Sequence, residues 1–390
     1  NQHNLAFSDV KHHFVENCNP CHNGSGLAPF SFDSYKGILK RSKPILESLE
    51  TMIMPPWPAD TTYSGYCNEQ TISSQARSEM IEWLKAGAPI GNDLITAKLS
   101  HEQKTMSSNL IPPQTNHTIS TDSNSYACFV YNPKFDKDTF VSSVQFASSN
   151  PEALHHLTLF IDTIGKLDGR QGCWVCTKDD VVDGLAVIET WTKGMRPISY
   201  TENIGYRFPK DSKFLLQAHY ENNHKGEKEG TTLGFNYIPK PDTEVKWLVL
   251  NNFEIKIEAN TIESATLSHE LVEDAVVFGV GPHLHYICKV LEVFAVTPEQ
   301  NKIPLLFIPK WDYLLQTKYI LSTPVSLPKG TVIYANAIFD NTDGNPVQPN
   351  HPVRDVIYDV SENDEMFVLT VFYADKLTLE QKNCVAQILK

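Results

Sequence analysis

After Tyr126 the sequence becomes a succession of short β-rich runs closed by turn residues: Ala127 to Tyr131, Leu154 to Ile161, Phe214 to Tyr220, Ala275 to Val280, Ile333 to Phe339 and Met366 to Tyr373. Runs of this length, rich in Val, Ile, Phe and Tyr, read as strands. No long helical period interrupts them, which argues against a parallel α/β sheet and for antiparallel sandwiches or jelly rolls. The stretch is longer than one sandwich usually holds, and Pro239-Lys240-Pro241-Asp242 reads as a seam between two.

Ahead of it lies helical text. Val10, Phe14 and Val15 fall at helix spacing. Ile72, Ala76, Met80, Ile81 and Leu84 mark a second apolar stripe, with Ser73 or Ser74 as N-cap and Gly87 then Pro89 at its end. Residues 93 to 123 are rich in Ser, Thr, Asn and Pro and lack a period, as a linker does. The expected organisation is a small all-α domain over residues 1–95, a linker over 96–123, and two all-β jelly-roll sandwich domains over 124–240 and 241–390.

Net charge is −13 with no Lys/Arg stripe, so a nucleic-acid partner is not expected. No apolar run approaches the roughly 20 residues that cross a bilayer as a helix. Beginning at Asn1 without an apolar leader, the chain is expected to be a mature periplasmic or secreted protein, with room for a membrane anchor in a removed N-terminal segment. Eight cysteines, two of them inside one motif, leave six that can pair in an oxidising compartment.

That motif, Cys18-Asn19-Pro20-Cys21-His22, has the spacing of thioether haem attachment: two thiols bond the haem and the adjacent imidazole supplies an axial nitrogen. A zinc or disulfide motif has the same two cysteines, but the position after a short helix favours haem. Met52 and Met54 offer thioethers for the sixth position, with Met54 preferred and a differently ligated iron as the alternative. Met54-Pro55-Pro56-Trp57, followed by the helix ending Trp83 to Pro89, resembles c-type cytochrome domains fused to larger bacterial enzymes. The resemblance implies one covalent haem c in a cytochrome c-like domain. His12 and His13 read as a solvated pair.

The β-rich part holds His155-His156, His219, His283-Leu284-His285 and Met366. Two strand residues two apart face the same way, so His283 and His285 can share one metal. His155 and His156 would face opposite ways unless a bulge or strand end intervenes. A thioether beside imidazoles selects soft copper(I). Tyr126-Ala127-Cys128, Leu154 to Phe160, Leu216 to Tyr220, His283-Leu284-His285 and Asp364-Glu365-Met366 together resemble, in order, the copper type II, ascorbate-dependent monooxygenases, the family of peptidylglycine α-hydroxylating monooxygenase and dopamine β-hydroxylase. The resemblance spans about 260 residues. It implies a tris-His copper at His155, His156 and His219 that stores an electron. It also implies a catalytic copper at His283, His285 and Met366 that binds O2, with the two jelly rolls facing across a solvent cleft and a long electron transfer between them.

Where the family's peptide-binding members anchor a substrate carboxylate, this chain has Gly281, Val368 and Thr370, none of which can clamp an anion. Tyr286 stands where some members have another His. By the same resemblance Cys128 pairs near Cys173 or Cys176, while Cys67, Cys288 and Cys384 have no match; Cys173-Trp174-Val175-Cys176 reads as structural rather than redox. The expected activity is hydroxylation or oxidative cleavage of a C–H bond in a small organic substrate with O2. Electrons would come from an external donor, a cytochrome, a quinol-linked carrier or a small reductant, through the haem to two coppers. The alternative is a copper- and haem-binding electron carrier or sensor. His3, His101, His117, His224, His269 and His351 read as solvated or structural.

Overall fold

Each β-rich run identified in the sequence forms a strand in the computed structural model, which describes residues 5–22, 30–91, 110–111, 117–120, 126–180, 185–192, 197–201, 203–378, 381 and 383–388. The expected linker, 96–123, lies mostly outside the described residues. The principal strands of the first half are β1 (Tyr126–Tyr131), β2 (Thr139–Ser148), β3 (Leu154–Asp162), β4 (Leu185–Thr192), β5 (Ile204–Phe208), β6 (Lys213–Tyr220) and β7 (Thr231–Ile238). Beyond the Pro239 seam come β8 (Thr243–Asn251), β9 (Ile262–Glu270), β10 (Ala275–Leu284) and β11 (Cys288–Val296). The last four are β12 (Lys302–Ile308), β13 (Tyr319–Leu327), β14 (Val332–Asp340) and β15 (Phe367–Ala374).

One eight-stranded sheet runs through both halves. Its order from Leu110–Ile111 is β7, β2, β5, β8, β15, β10, β13, and the two halves join where β5 and β8 pair in parallel, Thr243 opposite Ile204. A five-stranded sheet, β1, β6, β3 and β4 with Cys173–Val175 at its edge, closes one core around Leu157, Val144 and Phe235. A four-stranded sheet, β9, β14, β11, β12, closes the other around Leu291, Ala335 and Phe367. The alternating burial of β14 is the mark of a strand with one face in a core. Two sandwiches thus share a sheet.

A bulge locks them together. Val277 pairs with Tyr373 and Gly279 with Phe372, so Phe278 is the extra residue in β10. Its side chain is fully buried in the first core although its strand belongs to the second half.

The helical expectation needs correction. The chain is 43% strand and 14% helix, and among the described residues no small all-α cytochrome domain stands apart from the sandwiches. The helices are short: α1 (Phe7–His13), α2 (Tyr35–Lys40), α3 (Ser42–Glu50) and α4 (Ser74–Lys85), whose Ser73 side chain caps the Ala76 amide as its sequence suggested. They gather around Phe14, Met80 and Trp83. The segment between α3 and α4, with prolines at 55, 56 and 58, cannot continue a helix and is built into the second sandwich instead. There Asp60 N–H donates to the Phe307 carbonyl, Cys67 N–H to that of Ile320, and Trp57 packs edge-on against Tyr319.

Cys67 is bonded to Cys384, and Cys128 to Cys176, the kind of crosslink found in an oxidising compartment. Cys173 is exposed and outside both bonds, so Cys173 and Cys176 do not form one unit. Among the described residues no helix is long and apolar enough to cross a membrane.

Because Phe278 fills the first core from the second half, Phe278→Ala should cost about 3–5 kcal/mol in urea unfolding. Circular dichroism and tryptophan fluorescence should still report one coincident transition. Two separated transitions in the wild-type chain would contradict the shared-sheet architecture.

Candidate metal centre

The histidine pair of β3 is positioned by a second bulge. His219 of β6 lies opposite His156, and the next residue, Tyr220, lies opposite Leu154, so His155 is the extra residue. A bulge removes the usual alternation, and both imidazoles turn to one side. The ligand atoms of His155, His156 and His219 all lie within 4.8 Å of one another. Nδ1 of His155 is 3.0 Å from Nδ1 of His156 and 3.1 Å from Nδ1 of His219. Nitrogens bound at about 2.0–2.1 Å to one ion at near-tetrahedral angles are themselves spaced by about this much.

Neighbouring groups orient the rings. Glu362 Oε2 is 3.4 Å from His219 Nε2 and can hold a proton there, leaving Nδ1 as the inward lone pair. Tyr126 stacks flat on His219 with centroids 4.1 Å apart. Tyr313 stacks on His155 at 4.8 Å, and its hydroxyl is 3.3 Å from His219 Nδ1 and 3.2 Å from the Tyr126 hydroxyl.

The second set lies at the end of β10. In its ladder with β15, Pro282 faces Leu369, His283 faces Val368 and Leu284 faces Phe367, so the next step sets Met366 beside His285. Glu365 fastens this junction: its Oε1 accepts both the His285 and the Met366 backbone amides. Burial pushes the Glu365 carboxyl up to about 8. His285 Nδ1 donates to the Asp364 carbonyl at 3.1 Å, which directs Nε2 to the other side, buried and without a hydrogen-bond partner. His156 Nε2 is buried and unpartnered as well.

Burial keeps four of these rings, His156, His219, His283 and His285, in the neutral form. Burial lowers His156 and His219 well below the usual imidazole range, aided by their fellow histidines. It brings His283 to about 4 and His285 to about 3. A neutral imidazole is the form that binds a metal.

The expected solvent cleft between the two sets is a further correction. The rings of His156 and His283 are only 5.8 Å apart, and Tyr313 touches both sets, lying 5.7 Å from His285. The shared sheet draws the sites together. A cavity of about 620 Å³ does lie between the five-stranded and eight-stranded sheets, and His283, Met366, Gly281, Val368 and Thr370 are in its wall.

At the amino end, Cys18, Cys21 and His22 fall on one turn, with His22 N–H bonded to the Cys18 carbonyl. His22 Nδ1 donates to the Phe30 carbonyl at 3.1 Å, leaving Nε2 as the ring's lone-pair nitrogen, and Phe30 and Phe32 stack on the ring. Met54 is on a separate, exposed turn after α3, its amide bonded to the Ser48 carbonyl. Tyr313, Glu362 and the pinning role of Glu365 were not read from the sequence. Only the aromatic run Trp311-Asp312-Tyr313 and the placement of Glu365 before Met366 hinted at them.

Glu365→Ala strands two buried amides and should cost about 2–5 kcal/mol, whereas Glu365→Gln keeps an acceptor and should lose less than half of that. Thermal unfolding of the two variants decides it; equal losses would mean that the carboxylate does not fasten the junction.

The chain matches no protein-family model and no curated protein. Among solved structures, PNGF-II is similar over 69% of this chain, at 10% identity and a TM-score of 0.32, and this chain covers 65% of it. The VP2 subviral particle of infectious bursal disease virus is similar over 74% of this chain and 77% of its own, at 8% identity and a TM-score of 0.20. Turret protein A223 of Sulfolobus turreted icosahedral virus is similar over 68% and 98%, at 9% identity and 0.15. Likeness at this level carries no argument about what this chain does.

Proposed function

We propose that the chain is a periplasmic or secreted copper-dependent monooxygenase that hydroxylates or oxidatively cleaves a C–H bond of a small organic substrate with O2. Cys18, Cys21 and His22 would hold a haem c, which would supply one-electron transfer from an external donor. The observation that carries this reading is the junction of His283 and Met366 with a cavity large enough for a small molecule, backed by a second, buried set of converging imidazoles.

The donor set suits copper. Five imidazoles and one thioether match its preference, and the buried, unpartnered Nε2 atom of His285 is what a bound ion would satisfy. Bound there, copper would supply one-electron chemistry with O2. The chain's own residues do the rest. Glu362 and the Asp364 carbonyl hold ring protons away from the ligand nitrogens, Glu365 keeps His285 and Met366 in register, and Tyr126 and Tyr313 wall off the trio. A bare electron carrier has no use for a substrate-sized cavity against its metal ligands, which favours the enzyme over the carrier.

Elemental analysis of the purified chain should find two copper equivalents and one covalent haem iron. His219→Ala should retain about one copper, and Met366→Ala should lower turnover by about 100-fold or more while leaving the trio's copper bound. With labelled O2, product should carry the label; oxygen derived only from water would overturn the monooxygenase reading.

A further inference from the structure

We infer that the cavity beside His283 and Met366 takes an uncharged, largely apolar small molecule bearing one hydroxyl or N–H donor. This rests on reading the cavity as the substrate site and adds the chemistry of what fills it.

The register of the sheet lays out the floor in rows across β8, β15 and β10. Asn251, Val368 and His283 form one row, Val249, Thr370 and Gly281 the next, and Trp247, Phe372 and Gly279 the third. Moving away from His283 along the strands, the floor therefore changes from polar to aromatic. Adjacent strands are about 4.8 Å apart, so Asn251 stands roughly 10 Å across the floor from His283. At Gly281 the floor carries no side chain; a Cβ built there would meet only Phe372 at 3.4 Å and Thr370 at 4.0 Å. The opposite wall is a row of Gln217, Thr158 and Thr190.

The two permanently charged groups in the wall, Lys318 and Glu189, are matched to each other. Besides His283, the ionisable groups lining the cavity are Lys318, Glu189 and His269. Lys318 is buried and directs its ammonium to the Ile188 carbonyl, Glu189 Oε2 and the Tyr206 hydroxyl, at 3.1, 3.1 and 2.9 Å. Its three N–H bonds are used within the protein, and its charge is matched by Glu189. His269, half-buried on β9, faces a surface otherwise apolar at Leu267. Bringing an unmatched carboxylate or ammonium into such a cavity is costly.

Two polar atoms, by contrast, are left open. Thr158 Oγ1 and Asn251 Oδ1 are buried with no hydrogen-bond partner. The Asn251 amide is already oriented, since its Nδ2 donates to the Tyr358 hydroxyl at 3.2 Å, so Oδ1 is the free end. Buried polar atoms without partners are uncommon in proteins; the Asn251 oxygen calls for a donor on the ligand, and the Thr158 hydroxyl can accept from or donate to the same group.

The test uses four probes of one shape, naphthalene, 2-naphthol, 2-naphthoate and the cation of 2-(aminomethyl)naphthalene. Binding is measured by calorimetry to the full chain, both loaded with copper and after copper removal. 2-Naphthol should bind about tenfold or more tighter than either charged probe. Asn251→Leu and Thr158→Val, two independent variants checked for native circular dichroism, should each weaken 2-naphthol by about 3- to 10-fold and leave naphthalene unchanged. Gly281→Arg should shift preference toward 2-naphthoate. A charged probe that binds as tightly as 2-naphthol, indifference to both wall substitutions, or binding by none of the four would overturn the inference. Because the measurement is also made without copper, its failure in a chain that still incorporates labelled O2 condemns this inference alone. Its success in a chain that incorporates none leaves it standing and sinks the monooxygenase.

Discussion

Two extra residues, one in β3 and one in β10, decide which way His155, His156 and His283 point. A strand alternates its faces, so a one-residue insertion exchanges the faces of all that follow. Without His155 as the bulged residue, one of the paired imidazoles would turn into the opposite face of the five-stranded sheet. Without Phe278 as the bulged residue, Gly279, Gly281 and His283 would share the face of Val277 and point into the second core. Bulges of this kind cost ladder pairing, and each stands in a strand that carries histidines of the two sets.

The shared sheet then fixes the distance between the sets. With two separate sandwiches, the sets could face one another across solvent. In a continuous sheet joined by the parallel pair β5 and β8, with Phe278 keyed into the neighbouring core, they meet. The result is a cluster of buried imidazoles whose Nε2 atom at His285 has no protein partner. Leaving a buried polar atom unpaired costs about 1–3 kcal/mol. A bound metal offsets that cost by mass action, which gives the cluster a reason to persist.

Much of this was legible in the residues. Strand positions followed from short Val-, Ile- and aromatic-rich runs, and the need for a bulge at His155-His156 followed from alternation alone. The helix Ser74–Lys85 followed from its stripe and cap. What could not be read depended on contacts between residues distant in sequence. The apolar stripes near the amino end suggested a separate domain, yet Trp57 and Tyr66 spend their aromatic surface on Tyr319, and Cys67 bonds to a cysteine 317 positions away. Tyr313 comes from the loop between β12 and β13, and nothing local marks it as the side chain between two histidine sets. Cys176 rather than Cys173 pairs with Cys128 because Cys176 is buried and Cys173 faces outward, a distinction absent from the spacing.

The two sets are not equivalent, and their surroundings say how the work divides. His283 and Met366 are in the cavity wall, whereas His155, His156 and His219 lie behind it, covered by Tyr126 and Tyr313. Both tyrosines are driven far above their ordinary range by burial, so they stay neutral and act as hydrogen-bonding, water-excluding walls. A metal held behind such a shield would be able to exchange electrons but not to meet a substrate, whereas one open to the cavity would be able to do both. The asymmetry therefore follows from which ring reaches the open space, and that is set by the face His283 takes once the bulge at Phe278 has turned the strand.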